Sequence, residues 1–96
     1  MDLTEFRESL KTEHPPHGLP APLRALWHDA RDDWKRAHEI VQEETGKTAA
    51  RVHAYLHRKE GDLANADYWY ARCDEERPRG GLEKEWESLV RRFLTE

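Results

Sequence analysis

The sequence predicts an all-α domain: two tandem antiparallel helical hairpins, closed by an N-terminal and a C-terminal helix. Three observations predict it. Apolar residues recur every three or four positions between breaks rich in Pro, Gly and Asp. The chain is 38 % charged and 36 % hydrophobic, which suits helices with one wet and one dry face. A shift of 29 residues lays one half of the middle on the other.

With 96 residues, the whole chain 1–96 reads as one domain with a modest core. A first helix is expected in the segment 1–12, over Leu3–Lys11, with Asp2 as its N-cap, Glu5 three residues on, and Leu3, Phe6 and Leu10 on one stripe. The run His14–Pro20 stops it, because successive prolines cannot continue a helix. The first hairpin is expected over 21–46. Pro22 suits a first helical turn, and Leu23, Leu26 and Trp27 carry the dry face to Ala30. Arg31, Asp32 and Asp33 offer a turn and a cap, after which Trp34, Ala37, Ile40 and Val41 repeat at helical spacing toward Gly46. The alternative is one uninterrupted helix from Pro22 to Glu44.

The second hairpin is expected over 47–77. Thr48 begins its first helix, with Ala49, Val52, Tyr55 and Leu56 apolar and Gly61 as C-cap. Asp62 begins its second, with Leu63, Ala66, Tyr70 and Cys73 on the dry face. Residues 77–81 break the pattern, and a closing helix is expected over 82–96, with Leu82, Trp86, Leu89, Val90 and Phe93 on one stripe. The first helix and the Trp86 helix are expected to cap the hairpins, one at each end.

The repeat supports this division. Ala25 falls on Ala54, His28 on His57, Asp33 on Asp62, and Ala37 on Ala66. Trp27 falls on Leu56, Trp34 on Leu63, and Val41 on Tyr70. The segment Gly61, Asp62, Leu63, Ala64, Asn65, Ala66, followed by Tyr70, Cys73 and Pro78, resembles the second helix of a tetratricopeptide repeat. The preceding helix departs from that family, with His53 and His57 where large apolar groups are usual. The stretches LWHDARDDWKRAHEIVQ (26–42) and VHAYLHRKEGDLANADYWYARC (52–73) resemble a small family of uncharacterised bacterial and fungal helical proteins. The resemblance implies a helical fold and no particular chemistry.

The formal charge is −4, with acids and bases interleaved as in Glu83, Lys84, Glu87 and Arg91. That is a solvated helical surface, and it argues against nucleic acid or membrane as a partner. Cys73 is the only cysteine, so no internal disulfide forms. No apolar run approaches membrane-spanning length and no apolar leader follows Met1, so a cytoplasmic location is expected.

The sharpest constellation is His53, His57 and Glu60, on one helix face at i, i+4 and i+7. A histidine pair at this spacing can chelate a zinc-like ion if a third ligand comes from elsewhere, with His38, Asp67 or the repeat mate His28 as helpers. The ordinary alternative is packed imidazoles, each with one hydrogen bond. Tyr68, Trp69 and Tyr70 point in different directions: Tyr70 is expected in the core, and Tyr68 and Trp69 at its flanks near Asn65. Around the Gly61 turn, Asp62 is expected to cap the next helix and Arg58 to pair with Glu60 or Asp62.

Support for catalysis is thin. Cys73 sits at a small core position, Ser9 and Ser88 lack an evident base, and Glu43 with Glu44 reads as surface. The leading expectation is a non-catalytic module that binds a protein, a peptide, a second copy of itself or a small ligand, without a cofactor. Its ligand-binding residues would be His38, His53, His57, Trp34, Asn65, Tyr68 and Trp69. The alternative is a small-molecule or metal-binding protein with hydrolytic chemistry, using one of these histidines as base.

Overall fold

The computed structural model describes residues 1–95. Among them are six helices: α1 Leu3–Ser9, α2 Ala21–Ala30, α3 Trp34–Gln42, α4 Lys47–Glu60, α5 Leu63–Arg72 and α6 Leu82–Leu94. No strand occurs among the described residues, and none of their helices is long and apolar enough to cross a membrane.

Local chemistry sets the boundaries. Asp2 and Glu5 form a reciprocal capping box at the start of α1. The uninterrupted helix from Pro22 to Glu44 does not form. Asp32 takes a left-handed φ of 62°, and the Asp33 N–H donates back to the His28 carbonyl at 3.0 Å. The Asp33 side chain then accepts from the Arg36 N–H and opens α3. The second hairpin repeats the device 29 residues later. Gly61 has φ 90°, the Asp62 N–H donates to the His57 carbonyl at 3.0 Å, and the Asp62 side chain accepts from the Asn65 N–H.

The hairpins α2–α3 and α4–α5 pack on each other through α3 and α4, and α4 also touches α2 and α6. This central position explains why α4 is buried from Ala49 to His57. The expected pair of end caps is not what forms. Helix α6 lies against both α2 and α4, and α1 packs on α6, so the two flanking helices share one side of the molecule. Phe6 meets Trp86 with ring centroids 5.8 Å apart, and Trp86 Nε1 donates to the Leu26 carbonyl at 2.9 Å. An amphipathic stripe shows which face of α6 is dry, but not which helix covers it.

Two further expectations are corrected. Leu63 is 43 % exposed rather than core: α5 lies close along α4 and meets α6 through the Tyr70 side chain, and neither contact covers Leu63. Arg58 pairs with neither Glu60 nor Asp62. It reaches across to Glu85 at 2.7 Å and to the Gly80 carbonyl at 2.5 Å. Glu85 is buried and also accepts from Arg51 Nη1 at 2.7 Å and from the Tyr70 hydroxyl at 2.6 Å. One carboxylate thus ties α4, α5 and α6 together. A second buried carboxylate, Asp29 on α2, accepts from the Tyr55 hydroxyl at 2.8 Å and Lys59 Nζ at 2.9 Å, both on α4. Among the described residues, every buried side-chain nitrogen or oxygen has a partner.

Candidate functional site

Helices α3, α4 and α5 meet at a cluster of imidazoles and indoles. His53 and His57 stand one turn apart on the face of α4 that looks toward α3 and α5, with ring centroids 4.8 Å apart and planes within 19°. His38 enters from α3. Its Nε2 lies 3.1 Å from His53 Nε2, and its ring meets both α4 histidines edge-on at 4.8 and 5.2 Å. One ring nitrogen from each of the three lies within 4.8 Å of the others.

Two tryptophans wall the cluster. Trp34, one turn before His38, stacks on it at 4.9 Å with planes 8° apart, and its Nε1 donates to the Leu56 carbonyl at 2.8 Å. Trp69 of α5 stacks on His53 at 3.9 Å and 11°. These contacts fix ring planes that would otherwise rotate freely. His57 is fixed differently: its Nδ1 lies 2.7 Å from Glu60 Oε1, and its Nε2 3.5 Å from the Asn65 amide nitrogen.

His53 and His57 are buried, while His38, Trp34, Asn65 and Trp69 are half-buried. A cavity of about 320 Å³ opens beside His53 and Trp69, bounded also by Val41, Ala50 and Arg72. Burial, followed by the neighbouring His57 and His38, pulls the His53 pKa down to about 4. Burial and then His57 also lower that of His38, against the pull of Glu60 and Glu39. Both rings are therefore neutral near pH 7, and one Nε2–H donates to the other Nε2 lone pair.

No protein-family model, curated protein or solved structure matches this chain.

Of the residues singled out in the sequence, the structure brings together His38, His53, His57, Trp34, Asn65 and Trp69. Tyr68 stays at the margin: it is 54 % exposed, meets Trp69 edge-on at 5.3 Å, and accepts from Arg72 at 3.3 Å. Glu60 holds the outer nitrogen of His57 instead of joining His53. His28 packs against Trp27, and Asp67 pairs with Arg77 at 3.2 Å, so neither lies in the cluster. Cys73 is buried, its Sγ donates to the Tyr70 carbonyl at 3.3 Å, and burial pushes the thiol pKa up. Sequence reasoning missed the carboxylates Asp29 and Glu85. Glu85 sits on an apolar stripe between Leu82 and Leu89, and its partners lie 15 to 34 residues away.

Proposed function

We propose that this chain is a non-catalytic ligand-binding helical domain whose site is the imidazole cluster between Trp34 and Trp69. The observation that carries the reading is the convergence of three imidazoles from two helices, each held in orientation by an indole or a carboxylate, beside an open cavity. Packing alone has little use for three clustered imidazoles. Neutral histidines offer lone pairs and N–H donors, and stacked indoles offer flat apolar walls, a combination typical of small-ligand sites. The hydrolytic alternative is weaker. The Cys73 thiol is buried and not activated, and the Ser9 hydroxyl is engaged by the Phe6 carbonyl and Trp27 Nε1.

The test is a fragment screen read by the side-chain resonances of the histidines and indoles. Binders that shift His38, His53 and Trp69, and that no longer bind after Trp69→Ala, are expected. Binders confined to another cavity, such as that of about 450 Å³ between Tyr55, Lys59 and Trp86, would overturn the assignment.

A second reading, a protein- or peptide-binding module with tetratricopeptide-like hairpins, draws support from α5. It exposes Leu63 and Tyr68 on different sides of the helix, apolar surface that no other helix covers. If that surface binds a second copy, light scattering over a concentration series will give a dimer mass that Tyr68→Ala lowers. A constant monomer mass would remove self-association.

A further inference from the structure

We infer that His38, His53 and His57 form a three-imidazole site for one divalent transition-metal ion of borderline softness, with Zn²⁺ as the reference ion. The inference rests on reading the cluster as a ligand site, and it names the class of ligand.

Spacing is the first support. Zn–N bonds of about 2.0–2.1 Å in a tetrahedron place ligand nitrogens about 3.3–3.4 Å apart. His38 Nε2 and His53 Nε2 already stand 3.1 Å apart, and the third nitrogen lies within 4.8 Å of both. Closing the remaining distance needs a shift of about 1.5 Å or less to reach that tetrahedral edge, which side-chain torsions supply. The His53–His57 pair lies one turn apart on α4, so the helix itself fixes part of the chelate.

Orientation is the second. Metal-bound imidazoles commonly give their other N–H to a carboxylate, which fixes the tautomer and makes the ligating nitrogen more basic. Glu60 Oε1 stands in that place, 2.7 Å from His57 Nδ1. With Nδ1 so held, Nε2 is the His57 nitrogen left to bind an ion, and the Asn65 amide touches it only at 3.5 Å. Trp34 and Trp69 hold the His38 and His53 planes. Coordination replaces the hydrogen bond between the facing Nε2 atoms. The proton on that Nε2 moves to Nδ1 of the same ring, so His38 and His53 both stay neutral.

Ligand chemistry is the third. Three imidazoles with no carboxylate in the set select Zn²⁺, Cu²⁺, Ni²⁺ or Co²⁺ over Mg²⁺ and Ca²⁺, which require oxygen. Three protein ligands leave a fourth position for water or a small anion. The other grouping, His57 with Glu60 and Asp62, is a poorer candidate, because the Asp62 carboxylate already caps α5.

The test uses the full untagged chain, stripped with chelator and titrated with Zn²⁺ by calorimetry and with Co²⁺ by visible absorbance. One equivalent is expected to bind, with a tetrahedral Co²⁺ spectrum and shifts in the His38, His53 and His57 resonances. His38→Gln, at a half-buried position, should weaken binding at least tenfold, and Glu60→Gln about tenfold through the lost outer hydrogen bond. His14→Gln with His17→Gln, in the exposed connector, should leave binding unchanged. No saturable binding, or binding abolished by the connector variant and kept in His38→Gln, would overturn the inference. Fragments that still shift the cluster when metals do not would leave the ligand-site reading standing. Silence from both would end it too.

Discussion

His53 gives the most direct prediction at the scale of single residues. In the unfolded chain its imidazole titrates near 6.5, whereas the fold holds it down to about 4. Between these values the unfolded chain takes up a proton that the folded one refuses. Stability is therefore complete above pH 6.5 and declines as pH falls toward 4. His38 shifts in the same direction. Melting temperatures of metal-free protein between pH 7.5 and 4 should fall with acid, and His53→Gln should flatten that dependence. Glu85 makes the complementary case. Glu85→Gln leaves the buried Arg51 guanidinium with Glu75, at 3.0 Å, as its remaining carboxylate partner. A loss of about 3 kcal/mol in urea unfolding is expected, at the low end for a broken buried pair because Glu75 remains.

At the scale of elements, the two inter-helix turns are one device written with different residues. Gly61 and Asp32 occupy equivalent places, and both have positive φ. A Cβ at Gly61 would meet nothing within 4 Å, so the cost of Gly61→Ala is conformational alone, about 1–2 kcal/mol. Asp32→Gly relieves the same strain and should stabilise by about 0.5 kcal/mol, the left-handed penalty being partly offset by the added freedom of the unfolded chain. Denaturant midpoints of the two variants should move in opposite directions.

These turns also mark what was legible in the sequence. Asp2, Asp33, Gly61 and Asp62 act on residues three to five places away, so their effects could be read along the chain. The His53–His57 spacing and the helper His38 were legible for the same reason, since helical periodicity and the short link from α3 to α4, between the two hairpins, determine them. Glu60 was legible as a neighbour of His57 but not as the partner of its outer nitrogen, a choice made by side-chain torsions. The packing of α1 on α6, and the convergence of Arg51, Arg58 and Tyr70 on Glu85, depend on which dry faces meet. A stripe of apolar residues does not encode that.

Across the whole molecule, α4 is the hub and α5 the outlier. Helices α2, α3, α5 and α6 all pack on α4, whereas α5 lies close along α4 and is otherwise tied to α6 by the Tyr70–Glu85 hydrogen bond. Hydrogen exchange should show the amides of α4 opening only with global unfolding. Those of α5 should exchange through a lower-energy local opening. Equal protection along α4 and α5 would count against this ranking. Such an opening would carry Trp69 away from His53, so the site would be assembled and disassembled with its least secured helix.

The contact between Lys59 and Asp29 has a consequence in covalent chemistry. The Asp29 side chain is 1 % exposed, while that of Lys59 is 34 % exposed and within reach of reagents. Acylation at Nζ would replace an ammonium with a neutral amide and leave a carboxylate buried beside the Tyr55 hydroxyl alone. Methylation would keep the charge. The fold thus distinguishes two modifications of one amine: the first would loosen α2 from α4, and the second would leave them joined.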